Sequence, residues 1–154
     1  MNKLAPLMCW DIASLAWNPN IEQIQEIDLL YQLMSKYRWN VNLYELLHSG
    51  FDALVITNHK RQIEWVSKGF EQMTGYPTQE VIHAHPSFLQ GENTNKQTIQ
   101  YIRRGLLDGQ PVTGDLINYR KSGEEYLCHI EITPLFAGAR EISHFLAVEK
   151  EICQ

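Results

Sequence analysis

The chain has 154 residues, 44% of them apolar and 20% charged, with a formal charge of −5 and a pI near 5.6. That is enough chain for one domain with a sizeable core, and the acidic balance argues against electrostatic capture of nucleic acid or anionic lipid. No apolar run reaches the roughly 20 residues that span a bilayer. The start, MNKLAPLMCWDIASLAWNPN, is broken by Asp11 and is not read as a signal peptide. Cys9, Cys128 and Cys153 are odd in number and too dispersed for a disulfide framework or a zinc pattern, so a reduced, cytoplasmic setting is expected.

In chain order, Ile21 to Trp39 repeats apolar residues at three-to-four spacing, which predicts an amphipathic helix capped by Asn20 after Pro19. A shorter helix is expected from Val41 to His48, stopped at Ser49-Gly50. ALVITNHKRQIEWVS predicts two strands around a polar turn at Asn58 to Arg61. KGFEQMTGYPTQEVI reads as short helices punctuated by Gly75 and Pro77, and Asn95 to Leu107 as a longer helix ended by DGQP. Three strands are expected at Val112 to Arg120, Glu125 to Phe136 and Glu141 to Ile152, with turns at KSGE and AGAR. The order predicts an α+β fold: a five-stranded antiparallel sheet with helices on one face, at 50–154, preceded by a helical extension at 1–49.

Two segments carry a family resemblance. ALVITNHKRQIEWVSKGFEQMTGY resembles the opening of a PAS domain, and SFLQGENT with IRRGLLDGQPVTGDLINYRKSGEEY resembles its light–oxygen–voltage branch, the flavin photoreceptors. The likeness runs from about Phe51 to Ile152 and implies a sensory domain that holds a flavin (FMN). In that branch a loop of the form NCRFLQ supplies a cysteine to which excited flavin adds. The matching stretch here is HPSFLQ, so the resemblance puts Pro86 at the cysteine, His85 at the preceding asparagine and Ser87 at an arginine for the flavin phosphate. Gln90, the phosphate-side Arg103 and the ring-binding Asn118 match. A second ring-binding asparagine is replaced by Cys128, and the glutamine that reports the flavin's state by Glu149.

These replacements weaken a flavin site: losing one of two arginines costs about 1.5–3 kcal/mol. A thiol is a poor substitute for an amide, and an ionised carboxylate only accepts. Strand alternation puts Cys128, Ile130 and Ile132 on one face with Phe145, Ala147 and Glu149. The expected pocket is therefore Gln90, Arg103, Asn118, Cys128, Phe145 and Glu149. The opposite face would carry Ile117, Tyr119, Leu127, His129, Leu146 and Val148, an apolar patch that needs a cover. His83 and His85 lack the partners of a metal site, and no nucleophile–base set, phosphate loop or HExxH is present. With no output helix or effector domain evident, any signal is expected to leave by non-covalent contact.

The leading expectation is a non-enzymatic PAS module in bacterial-type signalling, without adduct photochemistry and without flavin. It would act by binding a small ligand or a protein partner, with a homodimer through the outer sheet face and the N-terminal helix. Two alternatives stand beside it: a flavin sensor of blue light or redox state working by photoreduction, and a structural dimerisation adaptor with a filled core.

Overall fold

The computed structural model describes residues 21–138 and 140–153. The chain divides between Lys36 and Tyr37 into two compact units. Helix α1, Ile21–Tyr37, stops two residues before the predicted end because Arg38 turns into the left-handed region at φ 57°, a conformation that ends helices. Its predicted cap, Asn20, lies outside the described residues, as does Cys9.

The larger unit contains α2, Leu43–His48, which starts later than expected because Asn42 serves as its cap, accepting from the Glu45 N–H at 3.3 Å. Then come β1 (Ala53–Asn58), β2 (Ile63–Val66), α3 (Lys68–Thr74), α4 (Thr78–Val81) and a 3₁₀ turn at Pro86–Leu89. Helix α5 (Lys96–Leu107) leads to β3 (Val112–Tyr119), β4 (Glu125–Ala137) and β5 (Glu141–Glu151). The strands form one antiparallel sheet in the order β2-β1-β5-β4-β3, the predicted α+β architecture. The last two strands join as a hairpin, while β1 and β5 pair across the length of the domain and sit at its centre. Accordingly β1 is buried on both faces.

Two apolar clusters occupy one face of the sheet. The first gathers Val55, Ile63, Phe70, Val81, Leu89 and Cys128 under α3, α4 and the 3₁₀ turn. The second joins Ile102 and Leu106 of α5 to Val112, Leu116 and Phe145. Ile130 and Ile132 pack against both, so the seam between the clusters runs along the middle of β4. Helix α5 lies close on β3 at Gly105, where a Cβ would sit 2.2 Å from Val112 Cγ1.

The other face differs from the sequence expectation. Ile117, Tyr119, Leu127, His129, Leu146 and Val148 do alternate with inward residues, but polar side chains are interspersed among them. Asp115 pairs with its cross-strand neighbour His129 at 2.6 Å, and Glu131 lies 3.5 Å from the same ring. The patch is therefore narrower than an unbroken apolar face, because β3 and β4 contribute charges to it and Leu146, expected at an interface, is buried at 4% exposure. Near the β1–β5 side, Trp39 donates its indole N–H to Ser143 Oγ at 3.0 Å and meets the buried His144 edge-on at 4.8 Å. Tyr37 stacks on Trp39 at 5.0 Å. His144 in turn contacts Glu64 at 3.0 Å.

Candidate functional site

A cavity of about 150 Å³ opens along the seam between the two clusters. Its walls are mostly aliphatic: Val55, Leu89, Ile99, Ile102, Leu106, Leu116, Ile130, Ile132, Phe145 and Ala147. The polar members are few and fall into two groups. Thr57, Asn118 and Glu149 come from the sheet, all three buried. Arg61, His85, Ser87, Gln90 and Arg103 come from the loops and α5 and are half-buried or exposed.

Glu149 is held firmly in this wall. Its carbonyl accepts from the Asp52 N–H at 2.9 Å, and two residues on, the Glu151 N–H donates to Asp52 Oδ2 at 2.8 Å. Cross-strand partners Ala53 and Ile130 flank it, so alternation fixes its side chain on the cavity side. The residue is 3% exposed, and its Oε2 has no hydrogen-bond partner. Burial, which disfavours the charged form, raises its pKa to about 7. Close to neutral pH this carboxyl therefore exists in both forms, a donor when protonated and an acceptor when ionised. Tyr126, the cross-strand neighbour of Asn118, also has a buried hydroxyl, and burial followed by the charge of Glu149 pushes its pKa up.

The rim is ordered by local hydrogen bonds. His85 caps the 3₁₀ turn: Ser87 N–H and Ser87 Oγ both lie against its Nδ1, at 3.2 and 3.0 Å. A nitrogen that accepts the N–H carries no proton, so the ring is the neutral Nε2–H tautomer. Burial, then the charges of Arg61 and Arg103, lowers the His85 pKa in the same direction. Farther along, the loop is latched to edge strand β3. Thr94 Oγ1 donates to the Ile117 carbonyl at 2.6 Å, and the Asn93 N–H donates to Tyr119 Oη at 2.9 Å. Gly91 is required here because a Cβ would lie 2.3 Å from the Tyr119 ring.

The model of the PAS domain matches residues 52–153, the whole sheet and everything that surrounds the cavity. The chain belongs to the PAS domain family. A nitrogen fixation regulatory protein of Klebsiella oxytoca is 32% identical over 109 residues, 71% of this chain and 22% of that protein. A blue-light photoreceptor of Listeria innocua is 29% identical over 122 residues, 77% of this chain and 48% of that one. The chain thus spans between a fifth and a half of the length of these relatives. Among solved structures, the LOV domain from the blue-light activated histidine kinase of Erythrobacter litoralis superposes with a TM-score of 0.64 at 27% identity, covering 68% of this chain and 98% of that one. A light–oxygen–voltage domain studied with a flavin analogue gives 0.68 at 29%, over 75% and 87%.

Within this PAS domain, five of the six residues expected in the pocket line the cavity: Gln90, Arg103, Asn118, Phe145 and Glu149. Cys128 does not. It shares their face of the sheet but is fully buried in the first cluster, and burial raises its thiol pKa, which keeps it protonated and a poor nucleophile. Pro86 and Ser87 are in the wall, and among the described residues no cysteine is. Cys153 is exposed. Tyr119, expected on an interface, is engaged in the loop latch instead. Sequence reading missed Arg61 and Thr57 as cavity residues. The signal for Arg61 was the turn NHKRQ: Asn58 Oδ1 accepts from the Lys60 and Gln62 N–H groups at 2.9 and 3.0 Å and curls the chain so that residue 61 meets the rim. Among the described residues no three metal-ligating side chains converge, and no helix is long and apolar enough to cross a membrane.

Proposed function

We propose that this PAS domain is a sensory module that takes a small, mostly apolar ligand into the cavity, with Glu149 and Asn118 as its buried polar partners, and that it performs no cysteine–flavin adduct chemistry. The observation that carries the reading is the orphaned Oε2 of Glu149. A buried carboxyl oxygen without a partner costs free energy that a filled apolar core would not tolerate without return, and a ligand polar group supplies the missing bond. An adaptor with a filled core has no use for this space.

Flavin is the cofactor that the family resemblance implies. Gln90, Arg103 and Asn118 are the residues that would suit it, and they favour a photoreductive sensor as the second reading. Against it stand the volume and the wall. About 150 Å³ is under the roughly 300–1,000 Å³ of pockets that enclose drug-sized ligands, which favours a ligand smaller than a three-ring cofactor. Pro86 takes the position that the resemblance assigns to the reactive cysteine. Signal then passes by contact: ligand held on β5 biases the opposite face, where the half-buried Val148, Ile117 and Leu127 offer a surface to a second copy or a protein partner. The setting is cytoplasmic. The absorption spectrum of the purified protein, before and after blue light, tests the reading. A colourless protein unchanged by light is expected; stoichiometric flavin would establish the second reading in its place.

A further inference from the structure

Glu149 lines the cavity with one carboxyl oxygen unpartnered, and among the described residues no group packed around it supplies a counter-charge. Tyr126 and Cys128 of β4 belong to the same side of the sheet; burial, followed by the charge of Glu149, holds both protonated. Thr57 of β1 and Asn118 of β3 do not titrate. Asp52, ahead of β1, is itself a carboxylate and engages its Oδ2 with the Glu151 N–H at 2.8 Å. The basic groups Arg61, His85 and Arg103 stand at the rim, half-buried or exposed. Burial is accordingly the cause that displaces the titration of Glu149. A molecule that fills the cavity expels water, and an ionised carboxyl then loses hydration that nothing in the wall replaces. The protonated form loses far less and offers one O–H donor. The remaining lining is mostly aliphatic, and about 150 Å³ is the order of volume that admits a benzene ring in an apolar cavity.

We propose that the loaded domain holds Glu149 protonated, with its O–H donated to the carbonyl of a neutral ligand of one or two rings, so that the domain takes up a proton as it binds and releases its ligand as the pH rises. The ligand class is an apolar ketone, aldehyde or ester: a lone acceptor on a hydrocarbon body. A compound that only donates needs the anion, which the filled cavity disfavours. Where the empty protein carries the carboxylate, one proton passes from solvent to Glu149 and no bond of the ligand changes. The linkage belongs to this chain, because the glutamine that the family resemblance puts at this position donates at every pH and has no proton to exchange. Above the midpoint near 7 the affinity falls with the protonated fraction, about tenfold per pH unit, and below it the affinity is flat. The inference rests on the cavity being a ligand site, and adds the class of the ligand's polar end and the condition that controls its occupancy.

Calorimetry on the full chain tests this with acetophenone, which only accepts, indole, which only donates, and toluene, which does neither. Acetophenone is expected to bind about tenfold or more tighter near pH 6 than near pH 8.5. Close to the midpoint, its heat of binding should change with the ionisation enthalpy of the buffer, as proton uptake requires. Glu149→Gln, whose amide N–H also donates to a carbonyl, should bind acetophenone equally at both pH values. Equal affinity of the parent protein for acetophenone at both, or a pH dependence that persists in Glu149→Gln, overturns the proton linkage and leaves the cavity reading intact. Indole bound tighter at the higher pH, or toluene bound where acetophenone is not, overturns the carbonyl class in the same way. Failure of all three to bind at either pH overturns both readings.

Discussion

Glu149 concentrates the chemistry of this domain in one side chain. Its folded pKa of about 7 lies above the ordinary carboxylate value of 4.5, so the folded state holds a proton that the unfolded chain releases. The proton-linked stability is fully present below about pH 4.5 and is lost as pH rises through about 7. Glu149→Gln removes that loss. The variant should match the parent near pH 5 and exceed it near pH 8 by up to about 3 kcal/mol, as read by denaturant unfolding at both pH values; equal stability at pH 8 would mean that the carboxyl reaches water. Alternation along β5 already put this residue beside Ala147 and Phe145, which is why its burial was legible in the sequence. The same rule misplaced Cys128, because sharing a face does not decide which part of the face borders the cavity. That depends on how far α3 and α5 stand apart, and a one-dimensional pattern does not contain it.

Elements rather than single residues explain why the HPSFLQGENT loop keeps its form without a reactive group in its wall. Its first half is a capped 3₁₀ turn and its second half covers the open edge of β3, an edge that would otherwise invite strand pairing. Gly91→Ala pushes a Cβ into the Tyr119 ring and should cost about 1–2 kcal/mol by overpacking, measured by thermal unfolding. Tyr119→Phe leaves the Asn93 N–H and Glu125 without the shared hydroxyl, and should speed amide exchange at Asn93 several-fold while leaving the centre of the sheet protected. The strands and α5 were legible from periodicity and turn residues. Helix ends were less so: Arg38 and Asn42 set the limits of α1 and α2 through backbone conformations that apolar spacing does not encode. The charges on the outer face escaped a reading that followed apolar residues alone, although Asp115 and His129 are neighbours as soon as β3 and β4 are paired.

At the scale of the whole molecule, the cavity lies on one face of a five-stranded sheet and the proposed contact surface on the other, with β1 and β5 belonging to both. A ligand that alters β5 therefore acts on the surface that a partner would see. We expect a two-fold dimer through the outer face, the commonest symmetry for a self-complementary patch. Val148→Glu should shift light scattering at micromolar concentration from dimer to monomer, and a parent protein already monomeric would dispose of that arrangement. The central claim is that a buried carboxyl with one unpartnered oxygen faces a mostly apolar cavity that takes a polar ligand group. Carbon-13 NMR of the glutamate side chains tests it most directly, with Glu149 assigned by its absence in Glu149→Gln. The account predicts a titration midpoint near 7 in the ligand-free protein, displaced when 1-naphthalenemethanol, an apolar body with one hydroxyl, is added. A midpoint at the ordinary carboxylate value, unmoved by that compound, would contradict it.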